Sequence, residues 1–330
     1  METAAAITPK AAAKGVPAKS IVAPWPPPRS SRMVFATALG ATYQGLAEEV
    51  LAAELLRYQG TASLILTSPP FPLNRKKKYG NRVGEEYLTW LALFAPIFRK
   101  LIKPRGSIVI EMGNAWEAGR PVMSTLGLEA LLRFMKTGKL QLCQQFVWNN
   151  PARLPTPVQW VNIKRVRVKD AFTHIWWMAR SAYPIANNRR VLVPYSDSML
   201  KLLKNGHYNS GRRPSEHDIG RRSFLTDNGG AIPSNVITLH NTHANLAYQR
   251  YCHENNIKAH PARMAPGLAE FFIKFLTKPG DIVVDPFAGS NTTGAAAQSL
   301  GRKWLAIEPE PEYIQGSIGR FQEAQAKGPP

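Results

Sequence analysis

Residues 281–308 constrain the fold more than any other segment of the chain. The run Asp281-Ile282-Val283-Val284-Asp285 is apolar inside and closes on a carboxylate, as a strand buried on both faces would. Pro286 to Asn291 form a glycine-bearing loop, Thr292 to Leu300 a helix of small residues, and Lys303 to Glu308 a second strand that again ends on an acid. Strand, loop, helix and strand in this order make a βαβ unit, and the ligands of such open sheets lie outside the carboxyl ends of the strands. An acid about 20 positions beyond the glycine loop is placed to hold ribose hydroxyls. The loop is not G-x-G-x-x-G, and Ala295 follows Gly294 where a phosphate-cradling loop needs lysine, so neither a dinucleotide nor a nucleoside triphosphate is indicated. A nucleoside without phosphates fits, S-adenosylmethionine foremost, although an ordinary strand-to-helix turn would read the same in isolation.

A second strand end carries different chemistry. Ser63-Leu64-Ile65-Leu66-Thr67 reads as a buried parallel strand, stopped by Ser68-Pro69-Pro70-Phe71. Consecutive prolines fix φ and offer no N–H, so this loop presents carbonyl oxygens beside a hydroxyl and an aromatic face. Acceptors aimed at the two N–H donors of an exocyclic amine favour the pyramidal nitrogen that attacks a sulfonium methyl, while Phe71 stacks on a base. Alone, the motif is also compatible with a plain proline turn.

The intervening chain alternates. Helical spacing runs over Ala47 to Tyr58, Glu85 to Lys100, Leu126 to Thr137 and Pro266 to Thr277; Pro104-Arg105-Gly106 reads as a turn before the strand Ser107 to Glu111. Apolar runs at Leu142 to Trp148 and Thr173 to Met178 continue the order, which predicts an α/β fold with a parallel sheet covered on both faces. Residues 1–32, rich in Ala, Pro and Lys without period, read as a disordered basic tail, and the lysines interrupt any secretory apolar core. Residues 189–240 break the rhythm with glycines and scattered basic side chains and read as an insert.

Charge selects the partner. Lys and Arg number 42 against 22 Asp and Glu, a formal net charge of +20 that points to a polyanion. The longest apolar stretch, Leu88 to Phe98, is broken by Thr89 and Pro96 and falls short of the roughly 20 residues that span a bilayer. Cys143 and Cys252 have neither disulfide nor zinc spacing and read as core thiols, so no metal is expected. Neither cysteine follows a proline, which disfavours a thiolate nucleophile attacking a cytosine ring carbon.

Together the two motifs closely resemble those of the β-type amino-methyltransferases acting on DNA, in which a Ser-Pro-Pro-aromatic motif precedes a Phe-x-Gly-x-Gly motif. The likeness extends from about residue 41 to 321, through Phe71 to Asn81, Trp160-Val161-Asn162, Arg167 to Ala171, Ile175-Trp176-Trp177, Pro194 to Asp197, Arg213-Pro214-Ser215, His217 to Gly220, Asp227 to Gly230, Lys258 to Arg263 and Arg302-Lys303-Trp304. It is strongest to the cytosine-N4 enzymes of restriction–modification systems. The resemblance implies a Rossmann-like S-adenosylmethionine-dependent fold with a mostly parallel twisted sheet and a small irregular target-recognition region. It makes Ser68, Pro69, Pro70 and Phe71 the catalytic grip on the base. Asp285, Phe287, Gly289, Ser290, Asn291, Thr292, Glu308, His260, Pro261 and Arg263 become the cofactor site. Two positions depart from the family: Asn291 stands at the second motif glycine, and Leu46 follows Gly45 where an acid is usual, leaving Glu48 or Glu49 as substitutes.

Basic residues supply the DNA contacts. Arg75, Lys76, Lys77, Lys78 and Arg82 follow the catalytic loop; Lys164, Arg165 and Arg167 form a second cluster with Lys169. Arg212, Arg213, His217, Arg221 and Arg222 lie in the insert and are the expected base readers. The expected division is a tail (1–32), a catalytic part (33–188), a target-recognition region (189–240) and a cofactor-binding part (241–330). The expected function is methylation of cytosine N4 in a short duplex site with base flipping, either beside a restriction endonuclease encoded nearby or as a solitary enzyme. The expected protein is a monomer or weak dimer in the bacterial cytoplasm, associated with the nucleoid. The alternatives are an adenine-N6 enzyme, an RNA methyltransferase and a silent DNA-binding protein.

Overall fold

The computed structural model describes residues 25–71, 82–241 and 246–326. In chain order these form β1 (Met33–Thr37), β2 (Gly40–Gln44), α1 (Ala47–Ala53), β3 (Ala62–Thr67), α2 (Gly84–Leu101), β4 (Ile102–Gly113), α3 (Leu126–Gly138), β5 (Gln141–Asn149) and β6 (Phe172–Ala179). There follow α4 (Asp197–Asn205), β7 (Gly211–Arg212), β8 (Asp218–Ile219), β9 (Val236–Thr238), α5 (Leu246–Glu254), α6 (Pro266–Leu276), β10 (Ile282–Asp285), α7 (Thr292–Ser299), β11 (Lys303–Glu308) and α8 (Pro311–Ala326). Nine strands make one sheet in the order β1-β2-β11-β10-β3-β4-β6-β5-β9, and β7 and β8 pair separately. The strands from β2 to β4 along this order are parallel, whereas β1 and β6 run antiparallel to their neighbours.

Alternation along each strand distributes side chains between two cores. Ile65 of β3, Leu305 and Ile307 of β11 and Trp176 and Met178 of β6 pack with α1, α2 and α3 on one face. Leu64 and Leu66, Trp304 and Ala306, and Ile175 and Trp177 pack with α6, α7 and α8 on the other. Burial on both faces explains the unbroken apolar runs in these strands. On α2 the spacing of Tyr87, Leu91, Phe94 and Phe98 makes one buried stripe, and Pro96 lies on its exposed side.

Connections β3-α2-β4 and β10-α7-β11 leave neighbouring strands in opposite directions along the sheet and cover opposite faces. The boundary between β10 and β3 is therefore a topological switch point, where open sheets bind ligands.

Several expectations are corrected. Residues 25–32 are not part of a disordered tail: Trp25 meets the Tyr58 ring edge-on at 6.3 Å, the Lys303 ammonium lies 4.9 Å from the Trp25 ring, and Arg32 pairs with Glu49 at 2.9 Å. Residues 1–24 lie outside the described residues. The helix expected over Ala47 to Tyr58 ends at Ala53 and resumes as a 3₁₀ turn at Leu56–Tyr58. The turn at Pro104 to Gly106 is absorbed as an irregularity within β4, whose Ile102 pairs with Ala62 and whose Ser107 pairs with Leu64. The runs at 142–148 and 173–178 form an antiparallel pair rather than further parallel strands. Cys252 is buried as expected, but Cys143 is only half-buried, on β5. Among the described residues no helix is long and apolar enough to cross a membrane.

Phe272 is fully buried between Phe146 and Phe271, with ring centroids 5.1 and 5.2 Å away. Phe272→Ala should cost about 3–5 kcal/mol in chemical denaturation. Leu132→Ala, at a position 66% exposed on α3, should change stability by less than about 0.5 kcal/mol.

Candidate active site at the switch point

The carboxyl ends of β11, β10, β3 and β4, with the start of β6, bring five polar side chains to one edge of the sheet. The Thr67 hydroxyl donates to Asp285 Oδ1 at 2.6 Å, linking the ends of β3 and β10, and the Phe287 N–H donates to the same oxygen at 3.1 Å. One buried carboxylate thus ties the Ser68–Phe71 loop to the glycine loop. Burial pushes Asp285 up to about 6 against the donated hydrogen bonds of Thr67, Thr293 and Phe287.

The glycine loop is built around Glu308. Its Oε2 accepts the Gly289 N–H at 2.7 Å and its Oε1 accepts the Glu310 N–H at 3.0 Å. Each oxygen retains a lone pair for an incoming hydroxyl. Burial pushes Glu308 up to about 7, with the two backbone donors working the other way. Gly289 has φ +51, and a Cβ there would sit 3.0 Å from His260 Nε2, so glycine is needed both for its conformation and for close approach. Asn291 also lies in the left-handed region, at φ 53, where asparagine is tolerated. Its Oδ1 caps α7 by accepting from Gly294 N at 3.1 Å, and its Nδ2 donates to Thr42 Oγ1 at 3.2 Å. The departure from the family glycine therefore keeps the backbone shape and adds a cap.

The remaining predicted cofactor residues surround this loop. Phe287 packs at 5.6 Å from Trp90 and 5.2 Å from Phe94. Ser290 is buried and held by Arg320, whose Nε donates to its carbonyl at 2.8 Å and Nη2 to its hydroxyl at 3.0 Å. Thr292 is buried in the first turn of α7. His260 packs edge-on to Tyr313 at 4.5 Å, and burial pushes it down to about 4, so the ring is neutral at neutral pH. Pro261 is exposed, and Arg263 Nη1 donates to the His260 carbonyl while its Nε is buried with no protein acceptor. Of the two substitutes for the acid missing at Leu46, Glu48 accepts from Trp90 Nε1 at 2.7 Å, which places it behind Phe287, whereas Glu49 is drawn to Arg32. A carboxylate with free lone pairs, an aromatic pair and an unsatisfied guanidinium N–H suit a nucleoside whose tail carries a carboxylate.

On the catalytic side, Ser68 hydrogen-bonds Glu111, a fully enclosed residue near the end of β4. Thr173 donates to Glu111 Oε1 at 3.5 Å, and the charge of Arg153 also acts on it. Burial pushes Glu111 up to about 7, opposed by Ser68, Arg153 and Thr173. Sequence reading placed Glu111 in a strand and gave it no role; the available signal was a lone acid closing an otherwise apolar run. Gly113 was likewise missed: a Cβ there would lie 2.5 Å from the Phe71 ring, so its absence is what seats Phe71.

The basic residues divide. Arg75, Lys76, Lys77 and Lys78 lie outside the described residues. Arg82 sits 5.0 Å over the Trp90 ring and within 3.8 and 3.5 Å of Glu48 and Glu86, so its charge is balanced within the protein. Lys164, Arg165 and Arg167 are exposed on the β5–β6 connection, which leaves and re-enters the sheet beside the carboxyl end of β4. Arg212, His217, Arg221 and Arg222 are exposed and Arg213 half-buried around the β7–β8 pair, with Arg212 3.8 Å from Glu216.

Residues 62–319 match the DNA methylase family. The Type II methyltransferase M.PvuII of Proteus hauseri is 43% identical over 289 residues, covering 87% of this chain and 85% of that protein. The solved PvuII DNA methyltransferase (cytosine-N4-specific) superposes with a TM-score of 0.71 at 34% identity, covering 89% of this chain and 93% of that one. The Thermus thermophilus protein TTHA0409, solved with S-adenosyl-L-methionine, shares the fold with a TM-score of 0.52 at 21% identity, over 86% of this chain and 93% of that one.

Glu111 gives a stability test. Its folded value of about 7 lies above the ordinary 4.5, so the folded state keeps a proton that the unfolded chain has lost between those values. The resulting stabilisation is complete below pH 4.5 and gone above about pH 7. Glu111→Gln, which cannot ionise, should therefore gain on the wild type as pH rises across this window, by up to about 3 kcal/mol. Melting temperatures of both proteins from pH 4.5 to 8 measure it.

Proposed function

The chain belongs to the DNA methylase family, and on that premise we propose that it transfers a methyl group from S-adenosylmethionine to the exocyclic N4 amine of cytosine in a short site in duplex DNA. The observation that carries the reading is the pairing, at one switch point, of a Ser-Pro-Pro-Phe loop backed by a buried carboxylate with a glycine loop closed on a second one.

S-adenosylmethionine supplies an electrophilic methyl on a sulfonium. In this reading Glu308 accepts the ribose hydroxyls, Phe287 contacts the adenine, and the Arg263 Nε–H, with His260 beside it, donates to the carboxylate of the methionine end. Ser68 and the carbonyls of the proline pair accept the N4 protons, and Phe71 stacks on a cytosine swung out of the helix, because no loop reaches an amine still inside the stack. The N4–methyl bond forms as the sulfur–methyl bond breaks, and one N4 proton leaves through Ser68. Glu111, whose proton affinity lies near neutrality, is suited to take it up. A serine and a phenylalanine, rather than an acidic or amide residue and a tyrosine, favour cytosine over adenine in this pocket.

The finer assignments belong to the same proposal. Residues 189–240 read the site, the exposed basic clusters hold phosphates, and the enzyme acts as a monomer or weak dimer. It works in the cytoplasm at the nucleoid, beside a restriction endonuclease or alone.

Mass spectrometry of nucleosides from methylated DNA should return N4-methylcytosine; N6-methyladenine would overturn the choice of base, and 5-methylcytosine the mechanism. Ser68→Ala should lower kcat by about 10²-fold or more while sparing DNA binding. Glu308→Ala should weaken cofactor binding by about 1.5–3 kcal/mol in calorimetry, the scale of hydrogen bonds to a charged group.

A further inference from the structure

The β5–β6 connection, residues 150–171, has a surface that neither packing nor the reaction explains. Leu154 is 76% exposed, Ile163 64%, Val166 52% and Val168 86%. From Ile163 the sequence alternates aliphatic and cationic residues, Ile163-Lys164-Arg165-Val166-Arg167-Val168-Lys169, and there is no acid between Glu129 and Asp170. Scattered exposed aliphatics are ordinary, but a clustered set ringed by one sign of charge marks an interaction surface.

The loop is held in shape rather than free. Gln159–Ile163 form a π turn, the N–H groups of Val166 and Arg167 both donate to the Trp160 carbonyl at 2.9 and 3.3 Å, and Asp170 N donates to Thr156 O at 2.9 Å. Arg167 Nε is fixed on the Pro121 carbonyl at 2.9 Å, and Lys169 Nζ lies 3.1 Å from the Pro151 carbonyl. Both cations are thereby used as struts, and Lys164 and Arg165 flank the aliphatic row. A short path of contacts joins the row to the catalytic loop: Phe71 lies on Gly113, the next residue Asn114 donates to Asp170 Oδ1 at 2.8 Å, and Val168 is two positions before Asp170.

We propose that this loop is the wedge that opens the duplex: Ile163, Val166 and Val168 enter the base stack at the target while Lys164 and Arg165 hold the flanking phosphates. The proposal rests on the reading of the chain as a DNA methyltransferase and deepens it. Phosphate binding alone calls for cations and leaves the aliphatic row without purpose, whereas apolar side chains inserted between base steps unstack them. A second copy of this chain is a poor occupant, because two such basic faces repel. Extrusion vacates space in the helix, and an aliphatic row on a loop tied through Asp170 and Asn114 to the strand under Phe71 is placed to fill it as the base leaves the stack.

The test uses Val166→Ser/Val168→Ser in the full chain, both sites being exposed and their removal leaving the melting temperature unchanged. Two duplexes carry the site found methylated in plasmid DNA, one fully paired and one with an abasic position opposite the target cytosine. The variant should lose about tenfold or more in kcat/KM on the paired duplex and return to within about twofold of wild type on the abasic one, where extrusion is already cheap. Equal losses on both duplexes, or no loss on either, would overturn the wedge. A wild-type protein that methylates neither duplex would overturn the methyltransferase reading beneath it, which separates the two failures.

Discussion

The hydrogen bond between Thr67 and Asp285, 2.6 Å long and closed to solvent, holds the two halves of the site in register. It spans adjacent parallel strands at the point where the chain departs toward opposite faces of the sheet, so it ties the Ser68–Phe71 loop that follows Thr67 to the glycine loop that follows Asp285. Because Asp285 also accepts the Phe287 N–H, a shift of either loop would cost a buried carboxylate one of its donors. Few single contacts constrain so much geometry.

Burial of carboxylates is the recurring device. Glu111, Asp285 and Glu308 sit near the carboxyl ends of β4, β10 and β11, and desolvation drives all three upward, to about 7, 6 and 7. Donated hydrogen bonds offset part of that cost: Ser68 and Thr173 at Glu111, Thr67 and Phe287 at Asp285, Gly289 and Glu310 at Glu308. Stability given up at neutral pH is thus concentrated at one edge of the sheet, where shifted proton affinities mark a candidate site.

The antiparallel pair β5–β6 lies beside the carboxyl end of β4. β6 enters at Phe172 beside the end of β4, bringing Thr173 to Glu111, and the loop before it carries Arg153 toward the same carboxylate and an aliphatic row toward solvent. The one hairpin therefore supplies an electrostatic partner for the buried acid and the exposed surface next to the pocket.

Local pattern in the sequence determined the parts whose cause is local. The strands ending at Thr67, Asp285 and Glu308 are near-continuous apolar runs because both faces are covered, and helices α2, α3 and α6 follow the 3.6-residue period over nearly their whole length. The Ser-Pro-Pro-Phe and glycine loops were legible because proline and glycine announce backbone shape by themselves. What only the tertiary structure decided depends on segments far apart in sequence. The contact of Glu111 with Ser68, the space Gly113 leaves for Phe71 and the docking of Trp25 on Tyr58 have no periodic signature. The direction of β5 and β6 was hidden for the same reason, since an apolar run shows that a strand is buried but not which neighbour it pairs with or which way it runs.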